Sequence, residues 1–319
     1  MAWAAGGEAM REGLEQWPSL SGTWGIISQL YTRAMVALSS LWRYGQKQGC
    51  SPGRASAMML QLQSWRTPVA IAAVLAAGLC CPGLAAGRDG FRIENRVFLD
   101  GEKEPRSRST TIFHHGVVYD YLADPPEVTV FDVQRRRFVL LDLERRVKTE
   151  LTTDRVADFS KRLKQWSERQ SDPFLKFLGD PSFDQTLDES TGELTFTSPW
   201  MSYRLTTFDP ESETLSHQYR EFSDWYCRLN TVLNPGARPP FARMIVNAVL
   251  EERHLLPREV HLTMQPKEGL LPKRLTVRSE HLLIRQLVES DLQRVAQTDQ
   301  FMALYASVAF PEYQRKMGD

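Results

Sequence analysis

Six histidines, at positions 114, 115, 217, 254, 261 and 281, are the residues most able to do acid–base or metal chemistry near neutral pH. Adjacent residues at a strand end send their side chains to opposite faces, so His114 and His115 are expected not to share one metal ion. They read as polar residues beside a hairpin turn. Glu251, Glu252 and His254 lack the His-Glu-x-x-His spacing that puts two ligands on one helical face. His261 and His281 fall on predicted strands and could face each other, with a partly buried, hydrogen-bonded histidine as the expected outcome. Cys227, beside Trp225 and Tyr226 on an amphipathic pattern, reads as a small core residue rather than a nucleophile. Gly-x-Ser-x-Gly, phosphate-loop, dinucleotide-loop and Cys-x-x-Cys patterns are all missing. These residues therefore assign no catalytic, cofactor or metal site. The expectation is a non-enzymatic domain, and the enzymatic alternative is a hydrolase pairing His114 or His115 with a carboxylate.

The elements that must position such residues are strands first. From Phe91 to Leu151 the pattern is of antiparallel strands, with a hairpin at Gly116 and a turn at Asp124-Pro125-Pro126, since proline fixes φ and donates no hydrogen bond. Glu127–Phe131 alternates β-branched and aromatic residues, and Phe138–Leu143 is apolar on both faces, as a central strand covered on two sides would be. A helix capped at Thr152 or Thr153 is expected to bury Val156, Phe159, Leu163 and Trp166, after which Pro173 and Pro181 break the chain. Strands resume near Phe183–Leu187 and over Glu193–Phe208, with a register shift at Ser198-Pro199. Two amphipathic helices follow. One carries Leu215, Tyr219, Phe222, Tyr226, Leu229 and Leu233, and the other starts after Pro239-Pro240. Strands at Glu259–Met264 and Arg274–Leu287 precede a closing helix from Asp291, expected to carry Leu292, Val295, Met302, Tyr305 and Val308. No internal repeat is evident. This is the α+β class: a curved antiparallel sheet with several amphipathic helices packed on one face.

The run GVVYDYLADPPEVTVFDVQRRRFVLLDLERRVKTEL, Gly116 to Leu151, resembles the meander of exported proteins related to the outer-membrane lipoprotein carriers. The resemblance rests on strand rhythm. It implies a half-open sheet capped by helices over an apolar cavity, and a binding or scaffolding role with no specific residues carried over.

Compartment is written in an uncharged stretch. Residues 67–87 lie between Arg66 and Arg88 and form an apolar run from Val69 to Leu79, followed by small residues to Ala85-Ala86. That is the pattern of an export signal, residues 58–86, with an uncleaved anchor as the alternative. The flanking Arg43, Lys47, Arg54 and Arg66 keep the N-terminal side in the cytoplasm and send residues 87–319 out, to a periplasmic or extracellular location. Membrane contact is expected only through residues 67–87. Neither Cys80 nor Cys81 has the lipobox leucine three residues before it. Residues 1–57 read as an upstream extension, the start being Met58 or Met59; the other reading is an interfacial helix with Trp24, Ile27, Leu30, Tyr31, Met35, Leu38, Leu41 and Trp42 on one face.

The whole chain has 39 basic and 39 acidic residues, of which 6 and 3 lie in residues 1–86. The single exported domain, 87–319, therefore has 33 against 36, a net charge of −3. A mildly acidic domain without a basic stripe excludes nucleic acid as the expected partner. Arg135-Arg136-Arg137 and Arg145-Arg146 read as a solvated strand and turns, with an anionic surface as the alternative. Cys227 is the one cysteine after residue 86, so no internal disulfide is expected and the core must hold the domain. An apolar ligand or an envelope protein is the expected partner, and a structural or interaction module of the envelope is the alternative function.

Overall fold

The computed structural model describes residues 90–99, 101–234, 237–265 and 275–315. The expected upstream extension (1–57) and export segment (58–86) lie outside these residues. Six strands come first: β1 (Gly90–Leu99), β2 (Ser107–His114), β3 (Val117–Leu122), β4 (Glu127–Asp132), β5 (Arg137–Asp142) and β6 (Val147–Thr152). They form an antiparallel meander. A second set, β7 (Asp184–Asp188), β8 (Glu193–Thr197), β9 (Met201–Phe208), β10 (Leu256–Met264) and β11 (Leu275–Ile284), joins it where β11 pairs with β1. The short β12 (Ala306–Ser307) adds to β6 in parallel, so the sheet is open with order β12-β6-β5-β4-β3-β2-β1-β11-β10-β9-β8-β7. The α+β class with an open, curved sheet holds.

Local chemistry sets the turns. His115 and Gly116 both take positive φ, 48° and 74°, the conformation that matches a tight turn to the twist of β2 and β3. The β4–β5 and β5–β6 turns are copies of one design ten residues apart. Asp132 and Asp142 each accept the backbone N–H three residues on, at 3.0 and 2.8 Å, and pair with the same arginine's guanidinium, Arg135 or Arg145. Arg136 and Arg146 then take φ 51° and 56°. The repeated Asp-x-x-Arg-Arg is thus an internal repeat, contrary to expectation, and its arginines are turn residues held by acids. Arg136 reaches Asp154 and Arg137 reaches Glu150 in the same way.

Six helices cover the sheet among the described residues: α1 (Thr153–Glu168), α2 (Pro173–Gly179), α3 (Glu213–Leu233), α4 (Phe241–Glu252), α5 (Glu289–Leu304) and α6 (Phe310–Arg315). Pleat parity assigns the faces. Phe91, Ile93, Phe113, Val118, Phe131, Phe138, Leu140 and Leu151 point to one side, where α1, α3 and α6 pack on them. On the same side α2 and α4 cover Leu194, Phe196, Tyr203, Leu205, Val260 and Leu262. The opposite side is not bare: α5 covers Ile112, Tyr119, Tyr121, Val130, Val139 and Leu141. The expectation of helices on one face alone is therefore corrected. The two-sided apolarity of β5 is the physical reason, because Val139 and Leu141 need cover as much as Phe138 and Leu140 do.

Several local expectations also change. Pro173 begins a helix: it is the first residue of α2, whose open N–H groups at Phe174 and Leu175 are capped by the Asp172 carboxylate. In α1 the buried line is Val156, Ser160, Leu163 and Ser167, with Phe159 and Trp166 only half-buried. The small Ser167 sits there because Gly179 of α2 packs on it, so closely that a Cβ on Gly179 would meet Ser167 Oγ at 2.2 Å. Ser198-Pro199 is a hairpin turn, closed by Ser198 N–H to Met201 C=O at 2.9 Å, not a register shift. Helix α5 ends at Leu304, leaving Tyr305 as its cap and Val308 in the segment before α6.

Candidate functional site

On the helix-covered side a band of polar side chains crosses four strands between two apolar clusters. It runs from β11 through β1 and β2 to β3. His281 Nδ1 is 2.8 Å from Asn95 Oδ1, directly across the β1–β11 pair. Asn95 Nδ2 donates to Ser109 Oγ at 3.2 Å and Thr111 Oγ1 at 3.0 Å. Thr111 Oγ1 donates to Asp120 Oδ1 at 2.7 Å, and Ser109 and Tyr226 of α3 also hydrogen-bond this carboxylate. At the other end Ser279 Oγ lies 3.1 Å from His281 Nε2. Every link points one way, toward Asp120. Burial raises the Asp120 carboxyl, and the three hydroxyls that donate to it oppose that rise. The phenol of Tyr226 is pushed well up, chiefly by the Asp120 charge beside it and then by burial.

The Ser279–His281–Asn95 segment has the contacts of a nucleophile, base and orienting group. Its electrostatics are those of a fixed relay instead. Asn95 Oδ1 holds the Nδ1–H tautomer and leaves Nε2 to accept from Ser279, but an amide carries no charge to stabilise an imidazolium. Burial, assisted by the nearby Arg243 cation, pushes His281 down to about 3. A base of that strength is far from the working pH that general-base catalysis needs.

Above the band lies the seam between α3 and α4, which is polar as well. Arg243 donates to Tyr219 Oη at 3.1 Å, and Asn247 Nδ2 donates to Asp224 Oδ1 at 2.8 Å and Ser223 Oγ at 3.0 Å. Glu251 accepts from Arg220 and contacts His217 Nδ1 at 2.8 Å. Between seam and sheet the cover is uneven. On β10, Val260 and Leu262 are sealed beneath the helices. On neighbouring β11 the residues facing the same way, Leu275, Val277, Ser279, His281 and Leu283, all keep accessible surface. So do Asn95, Tyr226, Cys227 and Arg243 around them, although they lie well inside the fold. Burial pushes the Cys227 thiol up to about 11.

The histidines singled out by sequence are not brought together. His261 and His281 lie on opposite faces: His261 pairs in register with Arg278, whereas His281 is one residue out of phase with that row. His261 contacts Glu259 at 2.7 Å on the side away from α4. His114 and His115 do not diverge as strand neighbours would, because His115 is in the turn; their ring centroids are 4.0 Å apart. His217 and His254 sit together at one exposed end of the α3–α4 seam, next to Glu251 and Glu213. Among the described residues no three His, Cys, Asp or Glu side chains are grouped to hold a metal ion, and no helix is long and apolar enough to cross a membrane.

Asn95, Ser109, Thr111, Asp120, Tyr226 and Arg243 were not legible as a site from motifs. A signal did exist. Asn95 sits between Ile93 and Val97 on the inward phase of β1, and Asp120 between Val118 and Leu122 on that of β3. Polar residues at inward positions of successive strands mark a buried network.

No family model matches the chain, and no curated protein matches it. Among solved structures the chain is similar to a LolA superfamily protein from Nitrosomonas europaea, at 8% identity and a TM-score of 0.25, with 64% of this chain and 90% of that one covered.

Proposed function

We propose that residues 87–319 form an exported, non-enzymatic binding domain that holds an apolar ligand between the sheet and the α3–α4 layer. The observation that carries this reading is the accessible, helix-facing side of β11 in mid-sheet, with apolar clusters at both of its ends. Leu283 belongs to one cluster and Val277 and Leu275 to the other, so a ligand there touches apolar walls on either side of the polar band. Such a mix, mostly apolar with a few fixed polar groups, is what ligand sites use. Export rests on the uncharged segment 67–87 and the small residues at Ala85-Ala86. Native mass spectrometry after gentle purification should find a bound amphiphile, and the delipidated protein should brighten 1-N-phenylnaphthylamine. A ligand-free protein that leaves the probe dark would make this domain a structural or interaction module instead.

A further inference from the structure

The space beside β11 holds one charge without an internal answer. Arg243, on α4, lies well inside the fold yet keeps some accessible surface, and among the described residues its one side-chain hydrogen bond goes to the neutral Tyr219 hydroxyl at 3.1 Å. Among the described residues no carboxylate lies within ion-pair distance of its guanidinium. The acids of the seam are engaged elsewhere, Asp224 with Asn247 and Arg220, and Glu251 with Arg220 and His217. The other groups close enough to act on Arg243 are Tyr203, Cys227 and His281. All three stay neutral, since burial raises the phenol and thiol and lowers the imidazole. A guanidinium presents a planar fork of donors and is costly to bury without an anion. On both sides of it the walls are apolar.

We propose that Arg243 receives the carboxylate of a long-chain amphiphilic acid, whose hydrocarbon chain lies along the helix-facing side of β11. This rests on the binding role proposed above and adds its selectivity. One buried cation calls for one negative charge, and the fork geometry matches a carboxylate bidentately. The neutral surroundings of Arg243 make the match at any physiological pH, with no proton to be moved first.

The test compares lauric acid with methyl laurate on the delipidated full chain, each displacing 1-N-phenylnaphthylamine, at a pH where the acid is ionised. The acid should bind at least about tenfold more tightly than the ester, a difference of about 1.4 kcal/mol. Arg243→Gln should abolish that preference, so that acid and ester displace the probe equally in the variant. Arg243→Lys, which keeps the charge, should retain part of it and guards against a Gln variant that does not fold. Equal binding of acid and ester by the wild type, or an acid preference that survives in Arg243→Gln, would overturn the assignment while leaving the apolar-ligand reading standing. Binding of neither compound would remove both. Tighter binding of dodecyl phosphate than of laurate would overturn the single-charge match.

Discussion

His281 and Asn95 face each other in register across the β1–β11 pair, with Nδ1 of one 2.8 Å from Oδ1 of the other. That pair of strands is the seam between the N-terminal meander and the C-terminal strands, so the hydrogen bond ties the two halves of the sheet on their covered side. It also sets the direction of every link from Ser279 to Asp120.

Removing the middle of that relay should cost more than one ordinary hydrogen bond. Asn95→Leu leaves the His281 Nδ1–H without its acceptor and Ser109 and Thr111 without their shared donor. Buried groups left unpaired cost about 1–3 kcal/mol. Urea denaturation should show a loss in that range, and an unchanged midpoint would mean that water replaces the amide without penalty.

Stability should fall with acid through His281. Its folded value, about 3, lies below the ordinary value of 6.5, so the unfolded chain takes up a proton that the folded chain refuses. The contribution is therefore complete above pH 6.5 and is lost as the pH drops from there toward 3. Asp120, raised above its ordinary 3.8, works in the opposite sense, as the pH falls from its raised value toward 3.8. Between pH 7.5 and 5.5 His281 alone should cost about 1 kcal/mol. His281→Gln should flatten that part of the profile; identical slopes in the two proteins would disprove it.

Core truncation should separate sealed from exposed positions on the sheet. Phe138 is fully buried and stacked on Phe131 with ring centroids 4.6 Å apart, and its loss to alanine should cost about 3–5 kcal/mol. Leu282, 56% exposed on the uncovered face of β11, should change stability by less than about 0.5 kcal/mol when replaced by serine. Chemical denaturation of the two variants side by side checks both figures.

Cys227 should be slow to alkylate. With the thiol at about 11, roughly one molecule in a thousand carries the thiolate at pH 8, against about a quarter for a free cysteine. Peptide-resolved iodoacetamide labelling should find Cys227 on the order of 100-fold slower in the folded protein than in urea. Comparable rates would show that the seam is open around the thiol.

Much of the architecture was written locally. Alternation of side chains along β2 to β6, the proline turn at Asp124-Pro125-Pro126 and the helical spacing of Tyr219, Phe222 and Tyr226 all carried through, because each depends on contacts a few residues apart. The Asp-x-x-Arg-Arg turns were equally readable, and their ten-residue repeat is plain once the two aspartates are seen to cap the same N–H. The polar band was half-readable: Asn95 and Asp120 stand out at inward strand positions, but their partners are far away in the chain.

By itself, then, the amino-acid order determined a net-acidic, cysteine-poor α+β domain of antiparallel strands and amphipathic helices, since composition and side-chain period are local properties. Register and long-range packing decided the rest. Whether His281 met His261 or Asn95 turned on pleat phase, where a one-residue offset reverses the face. Whether Arg243 met an acid or neutral phenols turned on how α3 and α4 pack together, a contact between residues 24 apart in the chain that no motif encodes.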